Sequence, residues 1–154
     1  MLAPQDDVTY DLKDNIMTSI VKDFPLDSSP ADVWDAVRDF GALHTRLVPG
    51  FVTDTRLDGD ARIVTFASGN VARELLVGCD DARMRLAYAI AANERVQHYA
   101  GSVQVLSDRA LADGAARSRM TWIVDVLPNE IAPFISAQMD LGVLAIQQKL
   151  GRPQ

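Results

Sequence analysis

From Phe51 to Ile90 the chain reads FVTDTRLDGD ARIVTFASGN VARELLVGCD DARMRLAYAI, and the period of this stretch decides the fold. Apolar and polar residues alternate in short runs. The clearest runs from Arg83 to Ile90, with Arg83, Arg85 and Ala87 on one side and Met84, Leu86, Tyr88 and Ile90 on the other. Successive side chains of a strand point to opposite faces, so this is the pattern of a sheet with one covered face. Asp58-Gly59, Ser68-Gly69-Asn70 and Asp80-Asp81 punctuate the runs with turn residues. Connections this short join antiparallel strands, because a parallel crossover takes a dozen residues or more.

Working outward, Val96 to Leu106 and Arg117 to Val126 extend the meander to six strands, the last two joined by a loop containing Asp113-Gly114. Glu130 to Leu150 then reads as a helix, with Pro133 in its first turn, Gly151 as its stop, and Ile135, Met139, Val143, Ile146 and Leu150 as its apolar stripe. On the N-terminal side, Ser19 to Leu26 reads as a strand. Ser29-Pro30-Ala31-Asp32 starts a helix that ends at Gly41, and Ala42 to Leu47 forms a short second one. Residues 1–16 are polar and without period, a loose leader before a single domain over 17–151. The expected class is α+β, a seven-stranded curved antiparallel sheet wrapped around a long C-terminal helix. A wide twisted sheet curls, and one helix about 10 Å across cannot fill its concave side. Large side chains or a ligand must occupy the rest. Gly142, in mid-helix beside the apolar stripe, costs about 1 kcal/mol relative to alanine, and it leaves room either for close packing on the sheet or for a ligand.

Composition narrows the functions. A length of 154 residues with 48% hydrophobic content suits one domain with its own core. No apolar run approaches the roughly 18 residues of a membrane span, and the N-terminus lacks the basic-then-apolar pattern of a secretory signal. One cysteine, Cys79, fits a reducing compartment, so the expected location is the cytoplasm. A net charge of -6 with scattered basic residues excludes a nucleic-acid footprint and an anionic membrane surface. Two histidines 54 positions apart and one cysteine give no metal-ligand spacing, so neither metal nor cofactor is expected. No Ser-His-Asp order, paired-acid spacing or phosphate loop supports a hydrolase or a kinase.

Pro30-Ala31-Asp32-Val33-Trp34 with Val37-Arg38-Asp39-Phe40 resembles the opening of the START-like superfamily, which shares its helix-grip fold with the birch-pollen allergen. Its bacterial branch is described as polyketide cyclase/dehydrase and lipid-transport (SRPBCC) proteins. The resemblance runs from about Thr18 to Leu150 and includes Asp80-Asp81, Tyr88, Tyr99, Trp122 and the terminal helix. It implies a hydrophobic ligand held between sheet and helix. A more distant likeness is to the plant abscisic acid receptors, whose gate loop corresponds to Ser68-Gly69 and one of whose polar pocket positions corresponds to Glu74. Their hormone-binding lysine is matched here by Leu47, and their latch by Ala91 to Arg95, so a receptor of that type is not expected.

The candidate ligand-binding residues are Tyr88, Tyr99, Glu74, Trp122, Met139, Gly142, Val143 and His44. Tyr88 and Tyr99 share inward faces, and a buried tyrosine needs a hydroxyl partner, either a side chain or a ligand oxygen. Trp122 shares the face of Met120 and Val124, where core packing is the simpler role. Glu74 divides the evidence: alternation turns Val71, Leu75, Val77 and Cys79 inward and sends Glu74 to solvent, whereas the resemblance points it in. Arg73 is the alternative inward charge. A carboxylate facing an apolar cavity would have a raised pKa and become a candidate acid or base, so Glu74 is the one catalytic candidate. Cys79 reads as a small core residue, and His44 as lying near the cavity mouth, with Arg46, Ala67 to Asn70 and Ala91 to Arg95 around it. Two functions fit. One is a carrier or sensor of a small hydrophobic metabolite. The other is a cofactor-independent cyclase or dehydratase on a polyketide-like substrate. Few polar pocket candidates favour the first. A homodimer is compatible with either.

Overall fold

A computed structural model describes residues 17–108 and 117–152. The expected leader over 1–16 and the Asp113-Gly114 loop lie outside the described residues. Strands β1 (Thr18–Leu26), β2 (Val52–Asp58), β3 (Ala61–Phe66), β4 (Val71–Asp80), β5 (Arg85–Ile90), β6 (His98–Ser107) and β7 (Ser118–Leu127) form one antiparallel sheet in the order β1-β7-β6-β5-β4-β3-β2. Helix α1 (Pro30–Arg38) follows β1, and α2 (Ala132–Leu150) closes the chain. The meander is therefore continuous, and β1 joins its far edge through β7.

Turn chemistry sets the register. Asp58 pairs with Ala61 across a two-residue turn in which Gly59 has φ 58°, the arrangement with glycine first that matches strand twist. Irregularities between Val52 and Asp54 and between Leu76 and Gly78 shift the register and add local twist.

Helix α1 begins where the capping residues place it. Ser29 Oγ accepts the Asp32 amide at 3.1 Å, and Pro30 occupies the first turn. Trp34, almost fully buried, donates its indole N–H to Asp81 at 2.9 Å, which ties α1 to the β4–β5 turn; Arg38 bonds the same carboxylate. The segment after α1 is not the ordinary short helix the sequence suggests. It is a 3₁₀ turn (Phe40–Ala42) followed by a π-helical turn (Leu43–Leu47), closed by Val48 N–H donating to the Leu43 carbonyl at 2.9 Å.

Helix α2 is anchored at its C-terminal end. The amides of Asp27 and Ser28 donate to the carbonyls of Gly151 and Leu150, and Ser118 Oγ donates to the Ser28 carbonyl. Its buried residues are Ala132, Met139, Gly142, Ala145 and Ile146, while Leu141 and Leu144 are exposed. The stripe is thus rotated from the expected one, because the small residues sit against the sheet. A Cβ on Gly142 would lie 2.9 Å from the Trp122 ring, so the bare backbone lets the helix approach the indole.

The interior divides in two. A larger cluster around Leu26, Val33, Trp34, Val64 and Met120 fills the α1 end, and a smaller one holds Ile20, Val124, Val126, Ala132 and Met139. Tyr99 and Trp122 pack against both. The space between the clusters is the candidate site.

Candidate functional site

A cavity of about 260 Å³ lies between the inner face of the sheet and the N-terminal half of α2. Its walls are mainly apolar: Leu43, Leu47 and Val48 from the π-turn, Phe51 and Phe66 from the β2–β3 side, and Met139 and Ile146 from α2. Aromatic rings supply much of the rest, with Tyr88, Tyr99 and Trp122 forming the floor.

Strand parity places the polar residues. Arg62 and Val64 point inward on β3, and Ala72, Glu74 and Leu76 point inward on β4. Arg62 and Glu74 are direct partners in the β3–β4 register, so their side chains meet on the covered face. Arg62 Nε donates to Glu74 Oε1 at 2.8 Å, and Nη2 lies 2.8 Å from the same oxygen. Both side chains are sealed, at 7% and 8% exposure. The guanidinium also donates through Nη1 to the Phe40 carbonyl at 3.3 Å and stacks 4.1 Å from the Phe40 ring centroid. Glu74 Oε2 accepts nothing from the described residues, and it is open to the cavity that Glu74 lines.

The tyrosines continue this polar patch. Trp122 Nε1 donates to Tyr88 Oη at 3.0 Å, and the Tyr88 and Tyr99 rings lie side by side with centroids 6.2 Å apart. Tyr88 lies flat across its cross-strand partner Gly101, where a Cβ would sit 2.3 Å from the ring. Burial, reinforced by the Glu74 charge, pushes the Tyr88 phenol up to about 12. Burial, with Tyr88 beside it, pushes Tyr99 well above its usual 10. Both hydroxyls keep their protons at neutral pH and can act as donors.

Of the residues singled out from sequence, Tyr88, Tyr99, Glu74, Trp122 and Met139 line one cavity. Gly142 does not border the void; it backs the Trp122 indole. Val143, one position on, is half-buried and packs against the larger cluster outside the lining. His44 does not line the cavity either. In a π-helical turn residues four apart share a face, so Leu43 and Leu47 point in, and His44 and Arg46 turn away. Arg46 bonds Asp35 and Asp39 instead, and His44 Nδ1 is buried with no hydrogen-bond partner among the described residues.

The inward set read from alternation on β4 is reversed. Val71 and Val77 are 64% and 63% exposed, Leu75 is also exposed, and Cys79 is exposed rather than a core residue. Arg73 faces out and meets Asp58. Arg62 was missed. A turn centred on Ser68 pairs position 62 with 74, and that register was the available signal.

The mouth lies where the β3–β4 loop, the β5–β6 loop and the first turns of α2 converge. Ser68, Asn70 and Val71 border it on one side, Asn93 and Val96 on a second, and Phe134, Ile135 and Gln138 on a third. Asn93 Oδ1 accepts the amides of Arg95 at 2.8 Å and Val96 at 2.9 Å, which organises its loop. Among the described residues there is no group of three or more metal-ligating side chains, and no helix is long and apolar enough to cross a membrane.

The comparisons agree with this fold. No curated protein matches the sequence. An uncharacterized protein from Bacillus thuringiensis shares the fold with a TM-score of 0.74 at 18% identity, over 86% of this chain and 98% of that one. The protein XoxI from Bacillus cereus gives 0.73 at 20% identity, over 87% and 96%. A START superfamily protein from Mycobacterium smegmatis gives 0.65 at 10% identity, over 86% and 96%. The family described as polyketide cyclase/dehydrase and lipid transport matches residues 17–150, nearly the whole described chain, and this protein belongs to it.

Proposed function

We propose that this protein binds a small, mostly apolar metabolite in the cavity between sheet and α2, as a carrier or sensor. The observation that carries this reading is the cavity itself, about 260 Å³ and walled largely by aliphatic and aromatic side chains, with one polar cluster at its floor. That volume is just below the roughly 300–1,000 Å³ typical of ligand pockets, which suits a compact molecule better than a long-chain lipid. In this reading Tyr88, Tyr99, Glu74, Trp122 and Met139 touch the ligand, while Gly142 and Val143 support the wall from behind. The acidic surface and the single cysteine are consistent with a cytoplasmic protein that has no nucleic-acid partner.

A second reading, a cofactor-independent cyclase or dehydratase, rests on Glu74. Among the described residues Glu74 is the one carboxylate in the cavity lining, and its Oε2 is left for the role of a general base. Native mass spectrometry of the protein purified from its own host tests both. A retained small molecule supports binding, and its conversion during incubation supports the enzyme. A bare chain that also fails to bind any apolar probe overturns both.

A further inference from the structure

The polar floor of the cavity is unequal in what it offers. Arg62 directs two of its nitrogens onto Glu74 Oε1 and a third to the Phe40 carbonyl, and its face is covered by the Phe40 ring. Its charge is spent inside the protein. Glu74 Oε2 remains as an acceptor that faces the cavity with no donor from the described residues. A carboxylate oxygen on a mostly apolar cavity wall needs a donor, and a ligand that displaces water from it must supply one.

From this we infer that the ligand carries a neutral hydroxyl, phenolic or alcoholic, which donates to Glu74 Oε2 from an otherwise apolar and compact skeleton. The inference rests on the binding function proposed above. The Arg62–Glu74 pair is already neutral as a unit, so a neutral donor adds no buried charge. A ligand carboxylate would bring a second negative charge against Oε2, and an ammonium would leave a net positive charge in a mostly apolar site. The neighbouring hydroxyls of Tyr88 and Tyr99 complete the site, because a ligand hydroxyl that donates to Glu74 still has lone pairs to accept from them. The aromatic floor suits a flat skeleton.

Competition against a neutral fluorescent probe at pH 7, using naphthalene, 2-naphthol, 2-naphthoate and 2-naphthylmethylammonium, separates these chemistries on one skeleton. On the wild-type protein 2-naphthol should bind at least tenfold more tightly than naphthalene, and both ions should bind more weakly than 2-naphthol. In the double variant Arg62→Met with Glu74→Leu, which removes both charges together, the ratio of 2-naphthol to naphthalene affinity should fall to about one, whatever the change in naphthalene affinity itself. If naphthalene binds but 2-naphthol gains nothing, or 2-naphthoate binds best, the hydroxyl inference is overturned and the binding function stands. If none of the four binds, the binding function itself has failed.

Discussion

Removing Arg62 alone should destabilise the protein severely, and removing its partner as well should restore much of the loss. The pair is sealed at 7% and 8% exposure, with a guanidinium that makes contacts to Glu74, the Phe40 carbonyl and the Phe40 ring. Arg62→Met keeps most of the buried stem and deletes the charge. Glu74 is then left in a wall of aliphatic and aromatic groups with no cationic partner. Breaking a buried ion pair from one side costs about 3–5 kcal/mol, whereas replacing both partners by apolar residues of similar volume is often neutral or stabilising. Adding Glu74→Leu should therefore bring stability back to within about 1–2 kcal/mol of wild type, the residue of the loss being the orphaned Phe40 carbonyl. Urea unfolding followed by tryptophan fluorescence measures both, since Trp34 and Trp122 lie within the cores. The reasoning is refuted if the single variant loses less than about 1 kcal/mol, or if the double variant is as unstable as the single.

Further outcomes follow from the same contacts. Gly101→Ala places a Cβ 2.3 Å from the Tyr88 ring, so it should lower stability by about 1–3 kcal/mol and break the Trp122–Tyr88 hydrogen bond; thermal unfolding and near-ultraviolet circular dichroism read the two effects. Gly142→Leu should weaken probe binding by pushing the Trp122 indole into the cavity, so a Trp122→Ala background should relieve the effect; the probe affinity of single and double variants checks it. Tyr88 ionises near pH 10 in the unfolded chain and at about 12 in the folded one, so the folded state holds the extra proton between those values. Its contribution should be present below pH 10 and fall on the order of 3 kcal/mol by pH 12, so Tyr88→Phe should lose less stability than wild type across that range in denaturant titrations, the part due to Tyr99 remaining.

The architecture was legible because punctuation fixes it. Asp58-Gly59, Ser68-Gly69-Asn70 and Asp80-Asp81 close hairpins whatever lies between them, and Ser29-Pro30 starts a helix by satisfying its own first turn. Faces were harder. On β4 the apolar residues Val71, Leu75 and Val77 are the exposed ones, because folded surfaces carry ample apolar area and hydrophobicity alone does not choose a side. The side is set by the cross-strand match of Arg62 with Glu74, visible only when the hairpin register is counted. His44 was expected near the cavity mouth, but Leu43 and Leu47 are the buried residues of its turn and the ones that line the cavity, and His44 does not share their face. Gly142 was left open between close packing and room for a ligand and was put among the ligand-binding residues; the group that approaches it is Trp122, whose contact between sheet and helix has no local sequence signal.

The central claim is that an internal apolar cavity takes up a small ligand, and filling that cavity tests it most directly. Ala72 lines the void from β4, two positions from Glu74 on the same inward face, so Ala72→Phe puts a ring into the space without touching the turns or the helix anchors. Titrating a neutral apolar fluorescent probe against wild type and this variant, both shown to be folded by circular dichroism, is the measurement. Saturable one-site binding to wild type and at least a tenfold weaker affinity for the variant is the predicted result. Equal affinity for two well-folded proteins, or no saturable binding to wild type, would contradict it.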